Sequence, residues 1–143
     1  MGKTNLGYLV GLAFQVQDDW LDVYGDPERF GKQVVGDIKA CKHSFLRVMA
    51  ESRAQNNQRA TLAQSFERLA LLGPSGEEGP KLDAEVQKVI QCYNELGLEE
   101  GALAYQHQLL DEAMALLASL PFGSSPGAAF LADYALYLAR RQE

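Results

Sequence analysis

Apolar side chains recur every three or four positions along nearly the whole chain, and nowhere do they alternate strictly with polar ones over the length of a strand. That period is helical and predicts a series of helices separated by breakers. The first runs from Thr4 to Tyr24 and ends at Gly25-Asp26-Pro27. After a glycine-containing loop, Glu28 to Gly36, Asp37 is the expected N-cap of a second helix that reaches Arg53. A third covers Asn57 to Leu72, and the stretch from Gly73 to Pro80 separates it from a fourth, Leu82 to Leu96. Gly97 divides that helix from a fifth, Glu99 to Leu120, which Pro121 stops. Gly123 to Gly127 is a turn, and a last helix occupies Ala128 to Arg141. The expected fold class is all-α, an antiparallel helix bundle with short connections, with residues 1–143 forming one region.

The first of these helices breaks the usual amphipathic rule. Leu6, Leu9, Val10, Leu12, Ala13, Phe14, Val16, Trp20, Leu21 and Val23 surround it on nearly every side, with Gln17 the polar interruption. Such a helix is expected to lie inside a core. Yet Gln15, Asp18, Asp19 and Asp22 fall at i, i+3, i+4 and i+7, so one stripe holds all four, extended toward the N-terminus by Gly11, Tyr8 and Thr4. Like charges four residues apart disfavour a helix by about 0.2–0.5 kcal/mol even when exposed. In a cleft of lower dielectric the repulsion grows, so either protons are retained or a cation neutralises the group. Oxygen ligands without a neighbouring His or Cys favour a hard ion, and magnesium is the natural candidate. A solvated acidic face is the plainer alternative. The apolar surroundings weigh against it without excluding it.

Basic residues follow in order: Lys32 after Gly31, then Lys39, then Lys42, expected one turn into the second helix. A lysine is a point charge suited to phosphate oxygens, and a glycine beside it lets the backbone approach a ligand. Lys32 and Lys42 are the candidates to face the acidic stripe, with Lys39 a weaker third. His43 and His107 are isolated and are given no role.

Composition narrows the classes. A net charge of -6 without clustered basic side chains argues against a nucleic-acid surface. Cys41 and Cys92 have no metal-ligand spacing and are expected to be reduced. No apolar run approaches the roughly 20 residues that span a bilayer, and no signal-peptide pattern follows Met1, so a cytoplasmic location is expected.

The string from Gly11 to Asp22 (glycine, an aromatic followed by glutamine, an aliphatic, then Asp-Asp-x-x-Asp) resembles the signature of the polyprenyl synthetase family, the trans-isoprenyl diphosphate synthases. Gly25-Asp26-Pro27, Gly31-Lys32, Gly36-Asp37 and Lys42 continue that pattern, and Tyr134 to Arg141 is similar to the family's closing helix. The resemblance implies the C-terminal part of an isoprenoid synthase fold carrying the second of two aspartate-rich motifs. It implies a prenyltransferase that joins an allylic diphosphate to isopentenyl diphosphate with Mg2+ as cofactor. By the same resemblance Asp18 is a direct magnesium ligand, with Asp19 and Asp22 holding metal-bound water. Gln15, Lys32 and Lys42 then contact the allylic diphosphate or its metals, and Phe14 lies near the substrate. Two departures stand out. Val35 occupies a position where many relatives have glycine, and the chain has neither a second Asp-Asp-x-x-Asp nor a Gly-Lys-x-x-Arg motif for isopentenyl diphosphate, although Arg140 and Arg141 resemble basic residues that approach that site. The chain is therefore expected to be a piece of a longer synthase, inactive alone and prone to form homo-oligomers. The other readings are a non-catalytic subunit of a synthase, a fragment of a class I terpene cyclase, and a plain helical bundle.

Overall fold

A computed structural model describes residues 6–25, 35–72 and 79–119, together with Asp133, Tyr134 and Tyr137. The described elements are α1 (Leu6–Tyr24), α2 (Gly36–Lys39), α3 (Phe45–Arg53), α4 (Asn56–Leu72), α5 (Pro80–Glu95) and α6 (Leu98–Ser119). No strand occurs among the described residues, and the fold class is all-α as the periodicity predicts. Asp133, Tyr134 and Tyr137 are helical, with the two tyrosine rings stacked 6.3 Å apart, while the rest of the expected last helix lies outside the described residues.

The main correction concerns the expected helix from Asp37 to Arg53, which is two helices. Val35 enters α2 in the left-handed region at φ 67°, and Cys41 leaves it the same way at φ 56°. The chain then runs without helix until Ser44, whose hydroxyl accepts the Arg47 N–H at 3.2 Å and caps α3. Asp37 is therefore a first-turn residue of α2, not a cap. Ser44 prevails because its side chain satisfies one of the orphan N–H groups at a helix start, an advantage of about 0.5–2 kcal/mol over an aliphatic residue. Pro80 opens α5, where a missing N–H costs nothing, and so moves that helix start ahead of the expected Leu82.

The chain divides into two compact units. The first combines α1 up to Asp18 with α6 from Ala102 onward. Its buried side chains include Leu9, Val10, Ala13 and Val16 on α1, and Leu109, Leu110, Ala113 and Leu117 on α6. The Gln106 amide, fully buried, donates to the Ala13 carbonyl at 3.4 Å and links the two helices by a polar contact inside that apolar layer.

The second unit runs from Asp19 to Gly101 and is organised around α4 packed on α5, with α2 and α3 also against α5. Leu62, Phe66 and Leu69 form the buried stripe of α4, and Leu82, Val86, Val89 and Tyr93 that of α5. Burying each such side chain contributes about 1.5–3 kcal/mol. The end of α1 is tied to the α5–α6 corner within this unit. Trp20 Nε1 donates to the Glu99 carbonyl at 3.0 Å, and the Tyr24 hydroxyl donates to Asn94 Oδ1 at 3.0 Å. Gly97 makes that corner at φ 71°, a conformation glycine adopts without steric cost.

Candidate functional site

Burial along α1 separates the residues that the sequence places on one stripe. Tyr8, Gly11, Phe14 and Gln15 are exposed, Phe14 by 38%, and Asp18 is half-buried. Asp19 and Asp22 are buried, at 1% and 6% exposure, and Gln17 is fully buried. The helix is thus open along one side rather than enclosed all round. The reason is physical: apolar composition shows which faces tolerate burial, not how many neighbours arrive to cover them.

The two buried carboxylates have defined partners in the second unit. Asp19 Oδ2 accepts the Phe45 backbone N–H at 2.7 Å, and its Oδ1 receives the Lys42 ammonium at 3.4 Å. Asp22 Oδ2 accepts the Asp37 backbone N–H at 2.8 Å, and the Asp22 carbonyl accepts the Val35 N–H. Both donors belong to first turns, Phe45 in α3 and Asp37 in α2, where N–H groups lack intrahelical acceptors. A carboxylate there makes a charge-assisted hydrogen bond and faces the positive end of the local peptide dipoles. Those contacts offset the cost of burying a charge. Gly36 lies close to this group: a side-chain carbon added there would meet Asp22 Oδ1 at 3.4 Å.

Lys42 is not on a helix, contrary to the sequence expectation. It sits in the connection between α2 and α3, where its ammonium also lies 3.8 Å from Asp37 Oδ2. Half of its side chain remains exposed. Lys39, the last residue of α2, is half-buried. Lys32, Gly31, Arg140 and Arg141 lie outside the described residues. Sequence reasoning did not assign Asp37 as a partner of Lys42 or Ser44 as a cap. For Ser44 the signal was available, since a serine directly ahead of Phe45-Leu46 is a standard helix start.

Burial, reinforced by the Glu99 carboxylate, pushes the Tyr24 hydroxyl up to about 12. Burial also holds Tyr93 above the ordinary tyrosine range.

Whether these residues suit a magnesium ion depends on the donor set. Among the described residues no group of three or more Asp, Glu, His or Cys side chains could hold a metal ion unaided. Asp19 and Asp22 each commit an oxygen to a main-chain N–H. Magnesium commonly takes one or two carboxylates and completes its shell with waters and substrate phosphate. The residues fit that smaller role, and they do not fit a closed three-carboxylate cage.

An all-helical fold with an Asp-Asp-x-x-Asp helix, followed by a connection whose lysine pairs with the motif's second aspartate, defines a recognisable class. Residues 3–70 match the family model described as polyprenyl synthetase, and the chain belongs to that family. It is 37% identical over 112 residues to a farnesyl pyrophosphate synthase of Zea mays, an alignment covering 78% of this chain and 28% of the relative. It is 39% identical over 101 residues to a short chain isoprenyl diphosphate synthase of Methanothermobacter thermautotrophicus, covering 71% of this chain and 26% of the relative. Among solved structures it is similar to the geranylgeranyl pyrophosphate synthetase of Pyrococcus horikoshii, with a TM-score of 0.73 at 25% identity, over 95% of this chain and 37% of that one. The chain thus spans little more than a quarter of the length of the curated relatives it matches, and those relatives are prenyltransferases of isoprenoid biosynthesis. Among the described residues no helix is long and apolar enough to cross a membrane.

Proposed function

We propose that this chain supplies the second aspartate-rich element of a prenyl diphosphate synthase, binding the diphosphate of an allylic substrate together with magnesium. The observation that supports this most directly is the pairing of Asp19 with Lys42, two residues distant in sequence and both inside the family match. Asp18, next to Asp19 on α1 and half-buried, is the carboxylate we assign to the metal. Magnesium, when bound, supplies positive charge to the diphosphate as it leaves. The Lys42 ammonium, half-exposed and held at 3.4 Å from Asp19, offers a second positive charge to the same oxygens. Lys32 is proposed to act with it, on the sequence pattern alone. Gln15 and Phe14 occupy the exposed side of α1, where the amide donates toward a polar head and the ring presents apolar surface to a prenyl chain.

In this reading the acceptor substrate, isopentenyl diphosphate, is bound by elements that this sequence does not carry, and the isolated chain binds allylic diphosphate without turning it over. Calorimetric titration with an allylic diphosphate, with and without Mg2+, tests it. Magnesium-dependent binding that is lost in Asp18→Asn is expected, and robust product formation from both substrates would refute the partial-site reading.

A further inference from the structure

The structure gives defined partners to two of the three aspartates of the motif. Asp19 places one oxygen on the Phe45 N–H and the other toward Lys42. Asp22 places an oxygen on the Asp37 N–H, and the Asp37 carboxylate in turn faces Lys42 at 3.8 Å. The connection that carries Lys42 is therefore fastened on both flanks, at α2 by Asp22 and at α3 by Asp19. Its lysine is flanked by a carboxylate from each side. Between these fastenings the chain has little regular structure of its own, with Cys41 in the left-handed region and residues 42–44 outside any helix. A lysine on such a stretch would otherwise sample many positions, and holding a long side chain in one of them costs conformational entropy.

We infer that Asp19 and Asp22 are positioning residues, which fasten the 35–45 segment and aim Lys42 at the diphosphate, and that Asp18 alone of the three answers to the metal. This rests on the reading of Asp18 and Lys42 given above and assigns the two remaining carboxylates a different task from magnesium coordination. Asparagine at position 19 keeps an acceptor for the Phe45 N–H but loses the charge that holds Lys42.

The test uses the full chain with inorganic pyrophosphate as probe, titrated at several Mg2+ concentrations. Asp18→Asn is expected to abolish the magnesium dependence. Asp19→Asn and Lys42→Gln are each expected to weaken pyrophosphate binding about tenfold, the factor that corresponds to 1.4 kcal/mol, at an unchanged Mg2+ half-saturation. The double variant is expected to bind no more weakly than Lys42→Gln, because both changes remove one interaction. An Asp19→Asn chain that loses its magnesium dependence as Asp18→Asn does overturns the inference, as do additive losses or an unaltered affinity. A second readout does not depend on binding. In wild type the Phe45 and Asp37 amide protons are expected to exchange slowly and the Lys42 ammonium to give an observable NMR signal, which Asp19→Asn removes with the helical circular dichroism intact. If pyrophosphate does not bind the wild-type chain at all, the functional reading fails. The positioning claim then stands or falls on whether the Lys42 signal depends on Asp19.

Discussion

Two parts of the second unit are built on opposite plans. The α4–α5 pair is held by stripes of Leu, Val and Phe, and the buried Glu85 beside them meets the half-exposed Lys88 at 3.3 Å and Arg68 at 3.6 Å. The end of α1 and the 35–45 segment are joined instead by carboxylates on backbone N–H groups. An apolar stripe tolerates any side chain of similar volume. A carboxylate that must reach one N–H and one ammonium tolerates almost none.

The sharpest way to test that contrast is to compare size with identity. Leu69 is fully buried on α4, and Leu69→Ala is expected to cost about 2–5 kcal/mol in urea unfolding, whereas Leu69→Met, which conserves volume, costs less than about 1.5 kcal/mol. At Asp19 the order changes. Asp19→Ala leaves the Phe45 N–H without its acceptor and is expected to cost about 1–3 kcal/mol. Asp19→Glu should not restore it, because the added methylene has no space at a position 1% exposed. If glutamate restores full stability, the polar region is as permissive as the apolar one and the contrast fails.

This contrast also explains what could be read from the sequence. Helix identities and most boundaries followed from period and breakers, because apolar burial and proline geometry are local signals. The split at residues 40–44 was legible only in part: Ser44 ahead of Phe45 is a local start signal, whereas the hydrogen bonds from Asp19 and Asp22 to the first turns of α3 and α2 come from far along the chain. The aspartates themselves were legible as a motif, but their division into one half-buried and two buried members was not. Residues one to four apart on a helix share a stripe in sequence whether or not another segment comes to cover part of it.

Acid should probe the α4–α5 pair more gently. Burial works to raise the Glu85 carboxyl, but hydrogen bonds from Lys88 and Ser65 and the charges of Lys88 and Arg68 outweigh it and hold the group below the ordinary glutamate value. A folded-state value below the unfolded one means that the contribution is present above the unfolded value and is lost as pH falls through the folded one. Unfolding followed from neutrality down through the carboxylate range should therefore show a loss of stability that Glu85→Gln diminishes. Tyr24 gives the alkaline counterpart: with its hydroxyl raised to about 12, its contribution is intact below the ordinary tyrosine value and declines as pH climbs from there toward 12. Tyr24→Phe should flatten that decline.

The smallest effect separates two connections that use the same backbone conformation. Gly97, between α5 and α6, sits at φ 71°, and Val35, entering α2, sits at φ 67°. For a residue with a Cβ the left-handed region costs about 1–2 kcal/mol, and a β-branched side chain is among the least suited to it. The 35–45 segment carries that strain because Asp22 anchors it on both sides of the turn, taking the Val35 N–H on its carbonyl and the Asp37 N–H on its carboxylate. Val35→Gly releases the strain but adds freedom to the unfolded chain, which returns part of the gain, so a net stabilisation of about 0.5–1 kcal/mol is expected. Gly97→Ala should shift stability the other way by about 1 kcal/mol, since nothing crowds a Cβ there and only the backbone conformation objects. Should Val35→Gly destabilise instead, the valine side chain contributes packing that exceeds its strain, and the polar segment would then rely on apolar contact as the α4–α5 pair does.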